Sequence, residues 1–192
     1  MFSPFETGIV FQKENFFDNP HLVRLWALTH KFYDRKHHPN KKLISYFPGL
    51  RTNQLNQSRF GKKVIHDMLE LFQINGNLID STVCFSLTDV SVKQQIHTDD
   101  EYGHINYTGI VYLNSDIPED CGTIISSKQF PSKFNKLIFF DGRHPHTMAK
   151  SFGTNKLNSR LVMTVYLQFE SDRDWETVLM ILLYHNLLEY LS

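Results

Sequence analysis

Residues 160–169 read Arg-Leu-Val-Met-Thr-Val-Tyr-Leu-Gln-Phe, and their alternation decides the fold class. Successive side chains of an extended strand point to opposite faces. Arg160, Val162, Thr164 and Tyr166 therefore share one face, and Leu161, Met163, Val165 and Leu167 the other. A cation leads an otherwise apolar strand. At a strand end such an Arg ordinarily leans into water, whereas a buried one needs an acid partner. Working outward, residues 82–87, 107–113, 123–126 and 136–140 are short, rich in β-branched and aromatic side chains, and separated by Asp, Asn, Gly and Pro turns. Val90 to Ile96 reads as a further strand running into His97.

The first third of the chain has a different period. After a strand-like opening from Thr7 to Gln12, Asp18, Asn19 and Pro20 offer a helix start, and Leu22, Leu25, Trp26 and Leu28 recur at helical spacing to about Tyr33. Ser58 caps a second helix whose apolar stripe is Val64, Ile65, Met68, Leu69, Leu71 and Phe72, stopped by Asn75-Gly76-Asn77. Between them, residues 30–63 carry nine Lys or Arg and one acid, Asp34. That stretch reads as a solvated loop or as a docking edge for an anion or substrate. Helices followed by a run of antiparallel-type strands predict an α+β domain with a sandwich or jelly-roll core.

A length of 192 residues suits one domain. Lys plus Arg (20) balances Asp plus Glu (20), so no global field would hold nucleic acid or an anionic membrane. Cys84 and Cys121 are too few for a disulfide scaffold and read as reduced thiols. No basic leader followed by an apolar run opens the sequence and no stretch has the length to span a bilayer, so the expectation is a soluble, cytoplasmic protein. The tail from Trp175 to Leu191 returns to helix, with Val178, Leu179, Ile181, Leu182, Leu183, Leu187, Leu188 and Leu191 on more than one face. Such a helix is buried on several sides, which predicts a monomer with the helix packed on its own domain, the alternative being a homodimer through it.

Of the ten histidines, His97, His104, His144 and His146 lie among carboxylates at strand ends. His97-Thr-Asp99 puts an imidazole and a carboxylate on one side of an extended segment. The strand ending at Phe140 then runs into Asp141-Gly-Arg-His-Pro-His146, where either His144 or His146 could complete a site with two imidazoles and one carboxylate.

In the order His97-x-Asp99, His146 and Arg160, the sequence resembles the Fe(II)- and 2-oxoglutarate-dependent dioxygenases, particularly the prolyl-hydroxylase-like branch. The resemblance covers about residues 82–169. His97-Thr-Asp99 looks like the first two metal ligands, and Phe139-Phe-Asp-Gly-Arg-His-Pro-His146 like the strand and turn ending in the distal one. Val111-Tyr-Leu-Asn114 looks like the strand whose Tyr bonds the cosubstrate, Cys121-Gly-Thr123 loosely like the segment opening the next strand, and Arg160-Leu-Val-Met-Thr164 like the clamp on the cosubstrate carboxylate. The resemblance implies a double-stranded β-helix (jelly-roll, cupin-like) core at about 81–170, flanked by N-terminal helices (about 1–80) and a C-terminal helix (about 172–192). It implies ferrous iron on His97, Asp99 and His146, which would be the catalytic residues, and 2-oxoglutarate held by Arg160, Thr164 and Tyr112. Dioxygen would be the oxidant and ascorbate a stimulant.

Two departures matter. Arg160 follows His146 by fourteen residues, leaving Thr147 to Ser159 as a loop. Where the nucleic-acid dealkylating branch carries a second Arg, this chain has Tyr166, so a peptide or small-molecule substrate is expected rather than nucleic acid. Phe47-Pro-Gly-Leu-Arg51 resembles a segment of members whose substrates the motif does not define. The expected function is hydroxylation of a C–H bond with release of succinate and CO2. The alternatives are a non-catalytic jelly-roll module with a residual metal site, and a zinc hydrolase in which Arg160 and Thr164 would have no role.

Overall fold

A computed structural model describes residues 10–40, 47–72, 74, 76–99 and 105–169. The expected C-terminal helix, with the oligomer argument built on it, His104 and the first residues of the opening strand lie outside the described residues. Nine strands and two helices follow in the order β1 (Phe11–Lys13), α1 (Pro20–Thr29), β2 (Leu50–Arg51), α2 (Arg59–Leu71), β3 (Leu78–Thr88), β4 (Ile105–Tyr112), β5 (Gly122–Ile125), β6 (Lys128–Pro131), β7 (Leu137–Asp141), β8 (His146–Met148) and β9 (Arg160–Phe169). They make two antiparallel sheets, a major one in the order β1-β7-β4-β9-β3-β2 and a minor one in the order β6-β5-β8. This is the expected jelly-roll, a double-stranded β-helix with helices outside the major sheet.

The alternation of β9 generates two cores. Leu161, Met163, Val165 and Leu167 face outward with Val83, Phe85, Val111 and Phe139, and are covered by Val64, Ile65 and Met68 of α2 and Ala27 of α1. Val162 faces inward with Ile110, Tyr112, Ile138 and Phe140, against Ile125 and Phe130 of the minor sheet. Between the sheets the inner face of β9 also buries Arg160 and Thr164, so the leading cation is internal rather than leaning into water.

Local chemistry explains where the elements begin and end. Ser58 caps α2 by accepting a hydrogen bond from Gly61 N–H at 3.0 Å. Asn19 precedes α1 without a side-chain cap, and its helix stops at Thr29, short of the expected Tyr33, because Tyr33 exchanges both backbone hydrogen bonds with Arg51 (2.8 and 2.9 Å). The face α1 buries also differs from the expected stripe: Ala27 is buried with Val23 and Leu28 against the core, while Leu22 and Leu25 are exposed.

Residues 90–96 are not a strand. Asp89 accepts hydrogen bonds from the N–H and hydroxyl of Ser91, an Asx-type turn that ends β3, and both Val90 and Ile96 are exposed. Conversely β6 and β8 arise where no strand was expected. The β5–β6 hairpin turns at Ser126 and Ser127, both at positive φ (46° and 70°), a geometry usually signalled by Asn-Gly rather than by two serines. Part of the expected loop after His146 is strand β8, paired with β5. Among the described residues no helix is long and apolar enough to cross a membrane.

The contact between α2 and the sheet depends on Gly109 in β4. A Cβ there would lie 2.4 Å from Met68 Cε, and Met68 is fully buried. Gly109→Ala should cost about 1–3 kcal/mol by overpacking and Met68→Ala about 2–5 kcal/mol by leaving a cavity. Their combination should cost clearly less than the sum, because the new methyl occupies vacated space. Urea denaturation of the four proteins measures this, and strictly additive costs would contradict the packing.

Candidate functional site

Two backbone segments that meet edge to edge build the site. His97 N–H donates to His146 C=O (3.0 Å) and His146 N–H donates back to His97 C=O (2.8 Å). Asp99 N–H donates to Gly142 C=O at 2.7 Å, so the segment 97–99 is strapped to the Asp141–His144 turn as well as to β8. That pairing, rather than a strand from Val90 to Ile96, sets the direction of both imidazoles, whose ring centroids lie 4.4 Å apart.

Each ring is oriented by a backbone carbonyl. His97 Nδ1 lies 3.1 Å from Gln95 C=O, and His146 Nδ1 lies 2.8 Å from His144 C=O. A carbonyl can only accept, so both Nδ1 atoms carry protons, and the tautomer this fixes turns the Nε2 lone pairs toward Asp99. His146 Nε2 is 3.2 Å from Asp99 Oδ2, and His97 Nε2 is 3.7 Å from Asp99 Oδ1. Thr108, on the inward face of β4, donates its hydroxyl to Asp99 Oδ2 and fixes the carboxylate from the other side.

The candidate ligand atoms of His97, Asp99 and His146 all lie within 4.8 Å of one another. Around an ion with bonds near 2.1 Å, adjacent ligand atoms stand about 3.0–3.4 Å apart. The two contacts to Asp99, at 3.2 and 3.7 Å, are near that spacing and the set as a whole is somewhat wider, so two neutral nitrogens and one anionic oxygen converge on one spot and would close on one divalent ion with a small shift. His144 is not in this cluster; its Nδ1 lies 3.2 Å from Ser126 Oγ and its carbonyl serves as the rest for His146.

The charges are set for the same task. Burial opposes ionisation of Asp99, but hydrogen bonding and charge from His146 and the hydroxyl of Thr108 outweigh it and hold the carboxyl below its usual range. Burial would lower His146, yet the Asp99 contact raises it, whereas burial and the neighbouring His146 lower His97. His146 Nε2 and the Asp99 carboxylate therefore form a charge pair whenever that imidazole is protonated.

On the inner face of the major sheet lies a second polar group of residues. Arg160 is buried, its guanidinium carbon 5.7 Å from the centre of the Tyr112 ring, and its Nε has no hydrogen-bond partner. No carboxylate pairs with it among the described residues. Thr164, also buried, shares a 3.1 Å hydrogen bond with Ser86, and Tyr112 shares one of 2.8 Å with Thr123. An orphaned buried N–H on a permanent cation is the donor that an incoming carboxylate would satisfy.

Sequence reasoning did not single out Thr108, Ser86 or Arg51 as site residues. Alternation along β4 places Thr108 with Ile110 and Tyr112, a signal available in the sequence. Arg51 belongs to a stretch read as basic loop, and only its pairing with Ser86 in β3 brings it beside Tyr166.

No protein-family model matches the chain, and no curated protein matches it in sequence. Solved structures do resemble it. A prolyl hydroxylase from Trichoplax adhaerens, solved with a peptide fragment of the hypoxia inducible factor oxygen degradation domain, superposes with a TM-score of 0.63 at 15% identity over 88% of this chain and 87% of its own. A Pseudomonas putida prolyl-4-hydroxylase gives 0.59 at 18% identity over 84% and 93%. HygX from Streptomyces hygroscopicus, solved with nickel, 2-oxoglutarate and hygromycin B, gives 0.57 at 12% over 84% and 83%. These likenesses establish the shared fold.

A divalent ion competes with a proton for His146 Nε2, so affinity should fall as pH drops through the raised His146 pKa. A competition titration against a chromophoric chelator should show clear weakening between about pH 8 and about pH 6; a flat profile would contradict the site. His97→Ala, Asp99→Ala and His146→Ala should each lose the ion, while His144→Ala should keep it.

Proposed function

We propose that this chain is an Fe(II)- and 2-oxoglutarate-dependent oxygenase that hydroxylates a C–H bond of a small-molecule or peptide substrate. The observation that carries the reading is the pairing of two features inside one barrel: the convergent Nε2, Nε2 and carboxylate donors of His97, His146 and Asp99, and a buried Arg160 that lacks an anion. Either feature alone has other uses. A metal triad without an Arg would suit a hydrolase, and a zinc hydrolase would leave Arg160 and Thr164 without a task.

The residues divide the work. His97, His146 and Asp99 would hold ferrous iron on one face, leaving the remaining coordination positions to cosubstrate and dioxygen. When bound, the iron couples oxidation of 2-oxoglutarate to succinate and CO2 with insertion of one oxygen atom from O2 into the substrate C–H bond, the other atom ending in succinate. Arg160 would pair the distal carboxylate of 2-oxoglutarate, with Thr164 as the hydroxyl two strand periods along the same face and Tyr112 against the guanidinium face. Ile110, Ile138, Phe140 and Val162 line the same interior and exclude water, which strengthens that ion pair. Thr108, Gln95 C=O and His144 C=O hold the ligands in the orientation the ion needs.

The substrate class stays as broad as the fold neighbours allow, since one was solved with a peptide and another with hygromycin B.

Removing one partner of a buried charge pair costs about 2–5 kcal/mol, so Arg160→Ala should weaken 2-oxoglutarate binding by roughly tens to thousands of fold. Iron should still bind. Anaerobic titration of the folded variant measures both, and unchanged 2-oxoglutarate affinity would refute the assignment. Wild-type protein supplied with ferrous iron, ascorbate and labelled 2-oxoglutarate should release labelled succinate only when oxygen is admitted.

A further inference from the structure

Arg51 is a second cation in the same interior, and nothing in the cosubstrate reading uses it. It sits on β2 opposite Ser86 of β3, whose hydroxyl contacts Thr164, so Arg51 lies on the face that carries Arg160 and Tyr166. Its guanidinium carbon is 4.6 Å from the centre of the Phe47 ring and 5.5 Å from that of Tyr166, and Nη2 donates to Tyr166 Oη at 2.9 Å. Nε is shut off from water without an acceptor, and among the described residues no carboxylate pairs with the guanidinium.

Its neighbours cannot neutralise it. Burial pushes the Tyr166 phenol and the Cys84 thiol well above their ordinary ranges, so both stay uncharged at neutral pH. Burial works against the charge on Arg51, the hydrogen bond to the Tyr166 hydroxyl and the charge of Asp99 favour it, and the Arg51 charge is felt in turn at His97. Arg51 therefore stands within electrostatic reach of two of the three candidate metal ligands. An Arg needed only to stack on Phe47 and Tyr166 would do so with its N–H groups in water; a shut-off, unsatisfied Nε is costly without a ligand.

Charge accounting narrows the ligand. With ferrous iron and 2-oxoglutarate in place, the ion and Arg160 are balanced by Asp99 and the two cosubstrate carboxylates. Arg51 is left with one positive charge. A dianionic phosphate would overshoot, and a neutral substrate would leave a half-buried cation unpaired among the described residues.

We propose that Arg51 is the anchor for the prime substrate, binding a single carboxylate on it, so that the chain oxidises a C–H bond of a carboxylate-bearing molecule. This rests on the oxygenase reading. Arg51 makes and breaks no covalent bond; its ion pair sets which part of the substrate faces the metal.

Calorimetric titration of protein loaded with zinc in place of iron, and with 2-oxoglutarate, tests the anchor without turnover. The probes are benzoate, L-proline and the dipeptide Gly-Pro, each paired with its carboxamide. At least one acid should bind, its amide should bind roughly tenfold or more weakly, and Arg51→Gln should remove the difference while Arg51→Lys restores part of it. Preference for L-proline over Gly-Pro would identify a free acid, and the reverse a chain terminus. The proposal is overturned if no acid binds, if acid and amide bind alike, or if acid binding survives in folded Arg51→Gln. Loss of 2-oxoglutarate binding in that variant would also overturn it, by moving Arg51 to the cosubstrate site. A wild-type chain that binds neither zinc nor 2-oxoglutarate would instead sink the oxygenase reading, and the same acid and amide titrations on the metal-free chain would still decide whether Arg51 binds carboxylates.

Discussion

The reciprocal backbone hydrogen bonds between His97 and His146 are the constraint on which the site depends. They bring together two segments far apart in sequence, one leaving the major sheet and one opening β8 of the minor sheet. Once that bridge forms, each imidazole has a carbonyl within reach of Nδ1 and no freedom to present the wrong nitrogen. Asp99 follows because its own N–H is tied to Gly142 and its carboxylate to Thr108. The donors are thus pre-positioned by backbone pairing, and an ion would not have to pay for ordering them.

The same barrel carries an electrostatic load that a folded chain would avoid if stability alone mattered. Arg160 and Arg51 each have an Nε shut off from water without an acceptor. An unsatisfied buried donor costs about 1–3 kcal/mol, and more when charged. Against this stand two apolar cores, one on each side of the major sheet, of which the outer holds Phe85, Phe139, Leu161, Met163 and Leu167 fully buried. The helices outside the sheet therefore serve the site indirectly: by sealing the outer face of β9 they leave its inner face free to hold cations and hydroxyls.

How much of this was legible in the sequence depended on whether the signal was local. The two faces of β9, the Ser58 cap and the stripe Val64, Ile65 and Met68 could be read because period and capping are written in neighbouring residues. His97, Asp99 and His146 could be ordered by resemblance, and the structure places their ligand atoms together. The β5–β6 hairpin could not be read, because Ser126 and Ser127 adopt positive φ without the usual turn residues. Arg51 was legible only in part: its basic stretch reads either as a solvated loop or as an anion or substrate docking edge, and only sheet pairing across from Ser86 turns this one residue toward Tyr166. Residues 90–96 failed in the opposite sense, since their strand-like composition has no partner strand, and Asp89 turns the chain away.

Arrangement of the charges also bears on the order in which the site can fill. Without an ion, Asp99 and His146 satisfy each other, and the carboxylate is the one anion that both Arg51 and the two imidazoles sense. A divalent ion held by His97, His146 and Asp99 would consume the charge of Asp99 and add positive charge to an interior that two arginines already face. Each then attracts an anion more strongly in a low-dielectric site than it would in water. On the proposed reading, metal entry would raise the affinity of the barrel for carboxylates, and by linkage carboxylates would raise its affinity for metal. A buried Arg160 and a half-buried Arg51, neither paired with a carboxylate among the described residues, would strengthen that coupling, which a fixed Asp or Glu beside each would weaken.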